Sequence, residues 1–325
     1  MIQSGCSVAM SNAIVCQRVS RAPPGAVQRE PVRLRCEDGQ YLDATWTWAV
    51  PQPHAVVVIN AATGVARRYY QAFADWLAQR GYRVLSYDYR GIAGSLHGPI
   101  RHCRASMADW ARYDIAAALA TAAKLQLPIL LVGHSAGGNL LGRVPGLQQA
   151  SAIVTIGAQN ACWRLWSGWR KWGLAFVWYL ALPILTQAYG YLPGRWLGAS
   201  GQSLPRQVAR DWANWARRRP YVLDAPGLPP ARYSEFAGPV QVWSVSDDSY
   251  APPAAVADLA RRFGPGGGTL LSVSPAQLGL ARIGHFGIFR RQIGMHLWPL
   301  LLQQIEQACP ALRPWHGCQP SFGVD

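Results

Sequence analysis

Hydrophobic positions fall along the chain in two alternating rhythms. Residues 32–36 (VRLRC) and 41–49 (YLDATWTWA) read as two strands joined by the turn Glu37-Asp38-Gly39-Gln40. His54 to Asn60 (HAVVVIN) is a continuous β-branched run, the pattern of a strand covered on both faces. The loop AATGVA follows, and RRYYQAFADWLAQRG then has helical period and stops at Gly81. YRVLSYD (82–88) is another buried strand, and residues 105–125 form a long Ala-rich helix. PILLVG (128–133) is a strand, followed by a helix that cannot run far past Pro145. SAIVTIGAQ (151–159) is a strand again. Strand and helix in alternation, with short loops, predict an α/β fold: a mostly parallel sheet with helices on both faces.

The rhythm stops at Asn160 and resumes at 239. There PVQVWSVS is a strand, PPAAVADLARRF a helix and TLLSVS a strand, and GHFG leads into a last helix ending near Ala308. The core is therefore split into residues 30–159 and 238–308. Residues 1–29 form an N-terminal extension, 160–237 a Trp-rich helical cap, and 309–325 a C-terminal tail. The cap holds eight of the fifteen Trp. Trp163, Trp166, Trp169 and Trp172, each three apart, are expected to drift round one helical face. These aromatics either glue the cap to the core or form an apolar acyl-binding lid that touches membrane through Trp and Arg. The uncharged stretch from Trp172 to Gly194 has the length of a bilayer span. Pro183, Thr186, Gln187 and Gly190 interrupt it and core strands flank it, so buried or interfacial lid helices are expected instead.

Half of the residues are hydrophobic and 14% are charged, which excludes a disordered chain. Lys+Arg number 31 against 16 Asp+Glu, a formal +15, and Lys occurs only at 124 and 171. The Arg residues are dispersed with no basic run, so no nucleic-acid partner is expected. Seven Cys without paired spacing point to reduced thiols and a cytoplasmic setting; Cys309 and Cys318 would at most close a small tail loop. Residues 1–29 carry no acid and no apolar core of a secretory signal. No metal spacing, phosphate loop or dinucleotide fingerprint is present, and no cofactor is expected.

Gly133-His134-Ser135-Ala136-Gly137 is G-x-S-x-G, placed directly after a strand and before a helix. In that context the turn is tight enough to strain Ser135 and raise its hydroxyl at the carboxyl end of the sheet. A serine hydroxyl needs a base. Of seven His, His285 lies in the loop Ile283-Gly284-His285-Phe286-Gly287 after the last strand, at a carboxyl edge from which it reaches back toward Ser135. An acid must fix the tautomer of that His. Asp247 and Asp248 both follow the strand VWSVS; Asp248 fits D-x-x-x-P with Pro252, and Asp247 is the alternative. The order Ser, Asp, His is that of α/β-hydrolases. The residue after the nucleophile, Ala136, is expected to supply one backbone N–H to the oxyanion.

The chain resembles the α/β-hydrolase superfamily over about residues 30–308. It is most similar to bacterial predicted α/β-hydrolases related to serine-aminopeptidase-like and monoacylglycerol-lipase-like esterases. The resemblance rests on Asn60-Ala61-Ala62-Thr63-Gly64, Asp88-Tyr89-Arg90-Gly91, Gly133 to Gly138, Ser246-Asp247-Asp248 and Gly284-His285-Phe286-Gly287. It departs from the family at Asn60-Ala61, where His-Gly is usual, and at Gly91-Ile92-Ala93-Gly94-Ser95, where G-x-G-x-S is usual. The resemblance implies a second oxyanion donor at Ala62, with Ala61 next in line. Asp88 and Arg90 are read as structural.

The sequence thus predicts a cofactor-independent serine hydrolase acting on a small-molecule ester with an apolar acyl group. Ser135 is the nucleophile, His285 the base and Asp248 its orienting acid. A thioesterase or aminopeptidase, or a catalytically silent binding protein of the same fold, are the alternatives. The cap is expected to allow peripheral membrane contact. The sequence does not fix the oligomeric state.

Overall fold

A computed structural model describes residues 25–197, 201–219, 221–225, 227–264 and 267–314. Most of the N-terminal extension and of the tail, Cys318 included, lies outside the described residues. Eight strands form one sheet: β1 (Gln28–Arg35), β2 (Tyr41–Trp48), β3 (Ala55–Asn60), β4 (Tyr82–Tyr87), β5 (Ile129–His134), β6 (Ala152–Ile156), β9 (Val240–Val245) and β10 (Thr269–Val273). Their order is β1-β2-β4-β3-β5-β6-β9-β10. β1 pairs antiparallel with β2, and β2 with β4; every later pair is parallel.

The central strands are continuous apolar runs because helices cover both faces. All residues of β3, β5, β6 and β9 are buried. β1 is an edge strand with most positions exposed, and it accordingly alternates charge with apolar residues. It starts at Gln28, two residues before the expected core boundary. The Ala-rich helix runs from Met107 to Ala123 with a π-helical turn at Trp110–Ile115, and a Ser106–Asp109 capping box opens it.

Residues of the D-x-R-G loop spend their charge inside the fold. The Asp88 carboxylate accepts the backbone N–H of Arg67 and of Gly94, and it pairs with the Arg67 guanidinium. Arg90 bridges Asp114 and Asp38, both at 2.6 Å. Asn60, which replaces the usual His, ties three strands together. Its amide donates to the Val132 carbonyl (3.2 Å) and its oxygen accepts from the Tyr87 hydroxyl (2.7 Å).

Between β6 and β9 the chain leaves the sheet. It forms helices at Gly168–Phe176, Leu182–Tyr189 and Arg206–Ala216, with a ribbon of β7 (Tyr191–Leu192) and β8 (Leu204–Pro205). The four evenly spaced Trp do not share one helix. The helix opens at Gly168, whose φ of +61° breaks the path from the preceding turn. Trp163 packs into the core before that break, Trp166 bonds the Ser249 carbonyl, and Trp169 and Trp172 stand exposed after it. Among the described residues no helix is long and apolar enough to cross a membrane.

Candidate active site

β5 ends at His134, and the chain turns directly into the short helix Ala136–Asn139. Ser135 sits at the corner with φ +52° and ψ −119°, a region that L-residues rarely adopt and that neighbouring contacts must hold. Its N–H donates to the Ile156 carbonyl at 3.0 Å, which anchors the corner to β6. The flanking glycines are required by close approach. A Cβ on Gly137 would come within 2.6 Å of the Ala61 carbonyl oxygen, and one on Gly133 within 2.7 Å of the Gly138 nitrogen.

His285 is the second residue of a one-turn helix, Gly284–Gly287, beyond the carboxyl end of β10. Its Nδ1 lies 2.7 Å from Asp248 Oδ2, and both side chains are buried. The other Asp248 oxygen accepts the N–H groups of Tyr250 (2.8 Å) and Ala251 (3.0 Å). These two donors fix the carboxylate, so Nδ1 of His285 carries the proton and Nε2 is left as an acceptor. Asp247 does different work. Its carboxylate accepts the N–H groups of Ile283 and Gly284, each at 2.9 Å, and so pins the loop that carries His285.

Three residues that the sequence pattern passes over complete the support. His134 is fully buried, and desolvation holds its pKa well below the usual imidazole value. It is therefore neutral, with one donor and one acceptor. The Tyr70 hydroxyl donates to its Nδ1 at 2.8 Å, and its Nε2–H donates to the His285 carbonyl at 3.0 Å. The Tyr69 hydroxyl donates to the Phe286 carbonyl at 2.8 Å. Nothing in the spacing of Tyr69, Tyr70 and His134 announces these bonds, because they depend on the packing of one helix against a distant loop.

His134, the neighbour of Ser135, brings the serine corner next to the His285 loop. The two imidazole rings are tilted by 39° with centroids 4.9 Å apart. A Cβ on Gly157, one residue past β6, would lie 3.1 Å from His285 Nδ1 and 3.2 Å from Asp248 Oδ2. Among the described residues, the Ser135 hydroxyl makes no hydrogen bond to His285. Such bonds commonly tighten only around a substrate.

The Ala136 N–H stands at the first position of its helix, where no intrahelical acceptor exists. Ala62 differs from expectation. Its N–H is already committed, donating to the Tyr70 hydroxyl at 2.8 Å. The cause is the helix that follows: Tyr70, fully buried, projects its hydroxyl back beneath the loop. A cavity of about 390 Å³ opens beside His285, with walls that include Tyr250, Arg282, Ile283, Phe286, Arg290 and Ile293. Its lining comes from the segments after β9 and β10, as far as Ile293 of the last helix, and neither Ser135 nor the cap is part of it. Among the described residues, no group of His, Cys, Asp and Glu is arranged to hold a metal ion.

Comparison with known proteins agrees with this architecture. Residues 51–211, about half the chain, match the family model described as serine aminopeptidase, S33. No curated protein matches the chain in sequence. Among solved structures, an α/β-hydrolase from Penicillium superposes with TM-score 0.58 at 14% identity, covering 87% of this chain and 99% of that one. A hydrolase from Pseudomonas aeruginosa gives TM-score 0.55 at 17% identity, with 84% and 97% covered. A thermophilic esterase from Thermogutta terrifontis gives 0.53 at 16%, with 86% and 99% covered. Identities this low establish the fold alone. Together with the sheet order, the strained serine corner and the matched family model, they place the chain in the α/β-hydrolase superfamily, and the protein is an enzyme of that superfamily.

Proposed function

We propose that the protein hydrolyses a carboxylic ester through a covalent acyl-enzyme. The observation that carries this reading is the strained Ser135 corner beside a buried His285–Asp248 pair. Ser135 Oγ attacks the acyl carbonyl while His285 Nε2 takes its proton. His285 then returns the proton to the leaving alcohol, and Asp248 steadies the imidazolium. Water, activated by the same His, releases the acid. The Ala136 N–H is one oxyanion donor. The second comes from the loop after β3, where the N–H groups of Ala61 and Thr63 flank the paired Ala62. The cavity beside His285 has Tyr250, Ile283, Phe286 and Ile293 on one part of its wall and Arg282, Arg290 and Asp247 on the rest; its apolar part supports an apolar acyl group in the substrate.

The test is covalent labelling with a fluorophosphonate, run beside turnover of p-nitrophenyl esters of increasing acyl length. The wild type labels and turns over, and Ser135→Ala does neither while unfolding at an unchanged temperature. Each added CH₂ raises kcat/KM about fourfold, for about 0.8 kcal/mol of burial, until the cavity is filled. Persistent turnover in a folded Ser135→Ala variant removes the mechanism, and a flat length profile removes the apolar acyl group.

A further inference from the structure

The cap helix is two-faced. From Gly168 to Tyr189 the backbone stays helical, with a π-helical turn at Val177–Ala181. Trp178, Leu182 and Thr186, four apart, are buried. Trp178 packs against Trp212 of the Arg206–Ala216 helix, with ring centroids 4.9 Å apart. On the opposite side lie Trp169, Trp172, Phe176, Leu180 and Ile184, spaced three or four apart. They are 79%, 66%, 60%, 51% and 62% exposed. A lid that covered the active site with its apolar face would turn these residues inward. Here the inward face is already filled, and the outward face carries the larger side chains.

Along this stretch of the chain the charge has one sign. No Asp or Glu occurs anywhere from Ile115 to Arg210. Arg164 lies in the turn before the helix, Arg170 and Lys171 lie in its first turn, and Arg195 lies just past its end beside the exposed Trp196. Lys171 and Arg195 rest over the rings of Trp172 and Tyr189, 5.6 Å and 5.5 Å from their centres. Tryptophan and tyrosine at the polar boundary, aliphatic side chains between them, and cations without acids match the chemistry of an anionic headgroup layer. A second copy of this chain would bring the same positive charge against itself.

We propose that the outward face of the Gly168–Tyr189 helix docks on an anionic lipid bilayer, with the helix lying in the plane of the headgroups. Binding is read without turnover, so this surface stands or falls separately from ester hydrolysis.

The experiment uses the full chain and extruded vesicles, one set of phosphatidylcholine alone and one with about a third phosphatidylglycerol. The wild type co-sediments with the anionic vesicles and its Trp emission shifts to the blue. Neutral vesicles bind it less, and about 1 M salt, with a Debye length of about 3 Å, removes most of the difference between the two vesicle types. Trp169→Ser combined with Trp172→Ser lowers partitioning about tenfold. The same variant turns over a water-soluble ester as the wild type does. Equal partitioning of variant and wild type overturns the proposal, and so does failure of the wild type to bind anionic vesicles. A concentration-dependent dimer in light scattering that the double variant abolishes also overturns it, because the face then belongs to a second copy.

Discussion

Replacing Asp248 by Asn separates the acid of the site from its neighbour with a defined size of effect. One Asp248 oxygen accepts two N–H groups, from Tyr250 and Ala251, and the other faces His285 Nδ1 at 2.7 Å. An amide placed there keeps its oxygen toward the two N–H donors. The flipped orientation would set its NH₂ against both of them, at about 1–3 kcal/mol for each buried donor left without an acceptor. Asn therefore presents NH₂ to Nδ1 and forces the proton onto Nε2. His285 can then no longer take the proton of Ser135, and kcat falls by about 10⁴. In Asp247→Asn one oxygen is left for the two N–H groups of Ile283 and Gly284. That change loosens the loop but keeps the His285 tautomer, for a loss of about tenfold in kcat and about 1–3 kcal/mol in stability. Steady-state kinetics on one p-nitrophenyl ester and urea unfolding of both variants provide the assay. If Asp247→Asn loses more rate, or if Asp248→Asn keeps a tenth of the wild-type rate, the assignment of the acid is wrong.

Tyr70→Phe removes one hydroxyl and strands two buried partners, the Ala62 N–H and His134 Nδ1, so urea unfolding reports a loss of about 2–5 kcal/mol; a loss under about 1 kcal/mol shows that this network is not holding the loop. Gly137→Ala drives a methyl into the Asn60 and Ala61 carbonyl oxygens, so the variant is expected mainly in the insoluble fraction, and a soluble variant with wild-type melting temperature contradicts the corner geometry. Because burial depresses the pKa of His134, its contribution to stability is complete above the unfolded value of 6.5 and is lost as pH falls from there toward the folded pKa. The slope is up to about 1.4 kcal/mol per pH unit, and His134→Gln flattens it; equal slopes in denaturant titrations at pH 7 and 5.5 refute the assignment.

The sheet was legible because its inner strands are buried on both faces, and burial of that kind writes an unbroken apolar run such as AVVVI or ILLV. The serine corner was legible because tight backbone approach admits only glycine at Gly133 and Gly137. Asp248 stands out just past β9 and His285 in the glycine-flanked loop after β10, and the structure pairs the two at 2.7 Å. Backbone donors leave no such trace. The pairing of the Ala62 N–H depends on where the Tyr70 side chain ends, eight residues on, and no local rule encodes that. The same holds for His134, whose bond to the His285 carbonyl joins positions 151 residues apart. The cap was misread in one respect: even spacing of Trp suggested one helical face, while Gly168 with its positive φ starts the helix midway through the series.

β6 and β9 are adjacent in the sheet, with Ile153 in register with Val240. The cap therefore leaves and rejoins the core through neighbouring strands, whose axes lie about 4.8 Å apart. Because the two strands run parallel, the chain leaves at the carboxyl end of β6 and must cross back to the amino end of β9, so the connection cannot shrink to a hairpin and needs a crossover of about a dozen residues or more. Closure entropy grows only by about 0.6 kcal/mol for each doubling of loop length, but the segment also buries Trp163, Val208, Trp215 and Tyr233 in the core, so it can be lengthened at exposed turns and not exchanged freely. A further constraint falls on assembly. β9 and β10, and with them Asp248 and His285, join the sheet only after the whole intervening segment has been spanned. During synthesis the serine corner can thus be folded well before Asp248 and His285 reach their places.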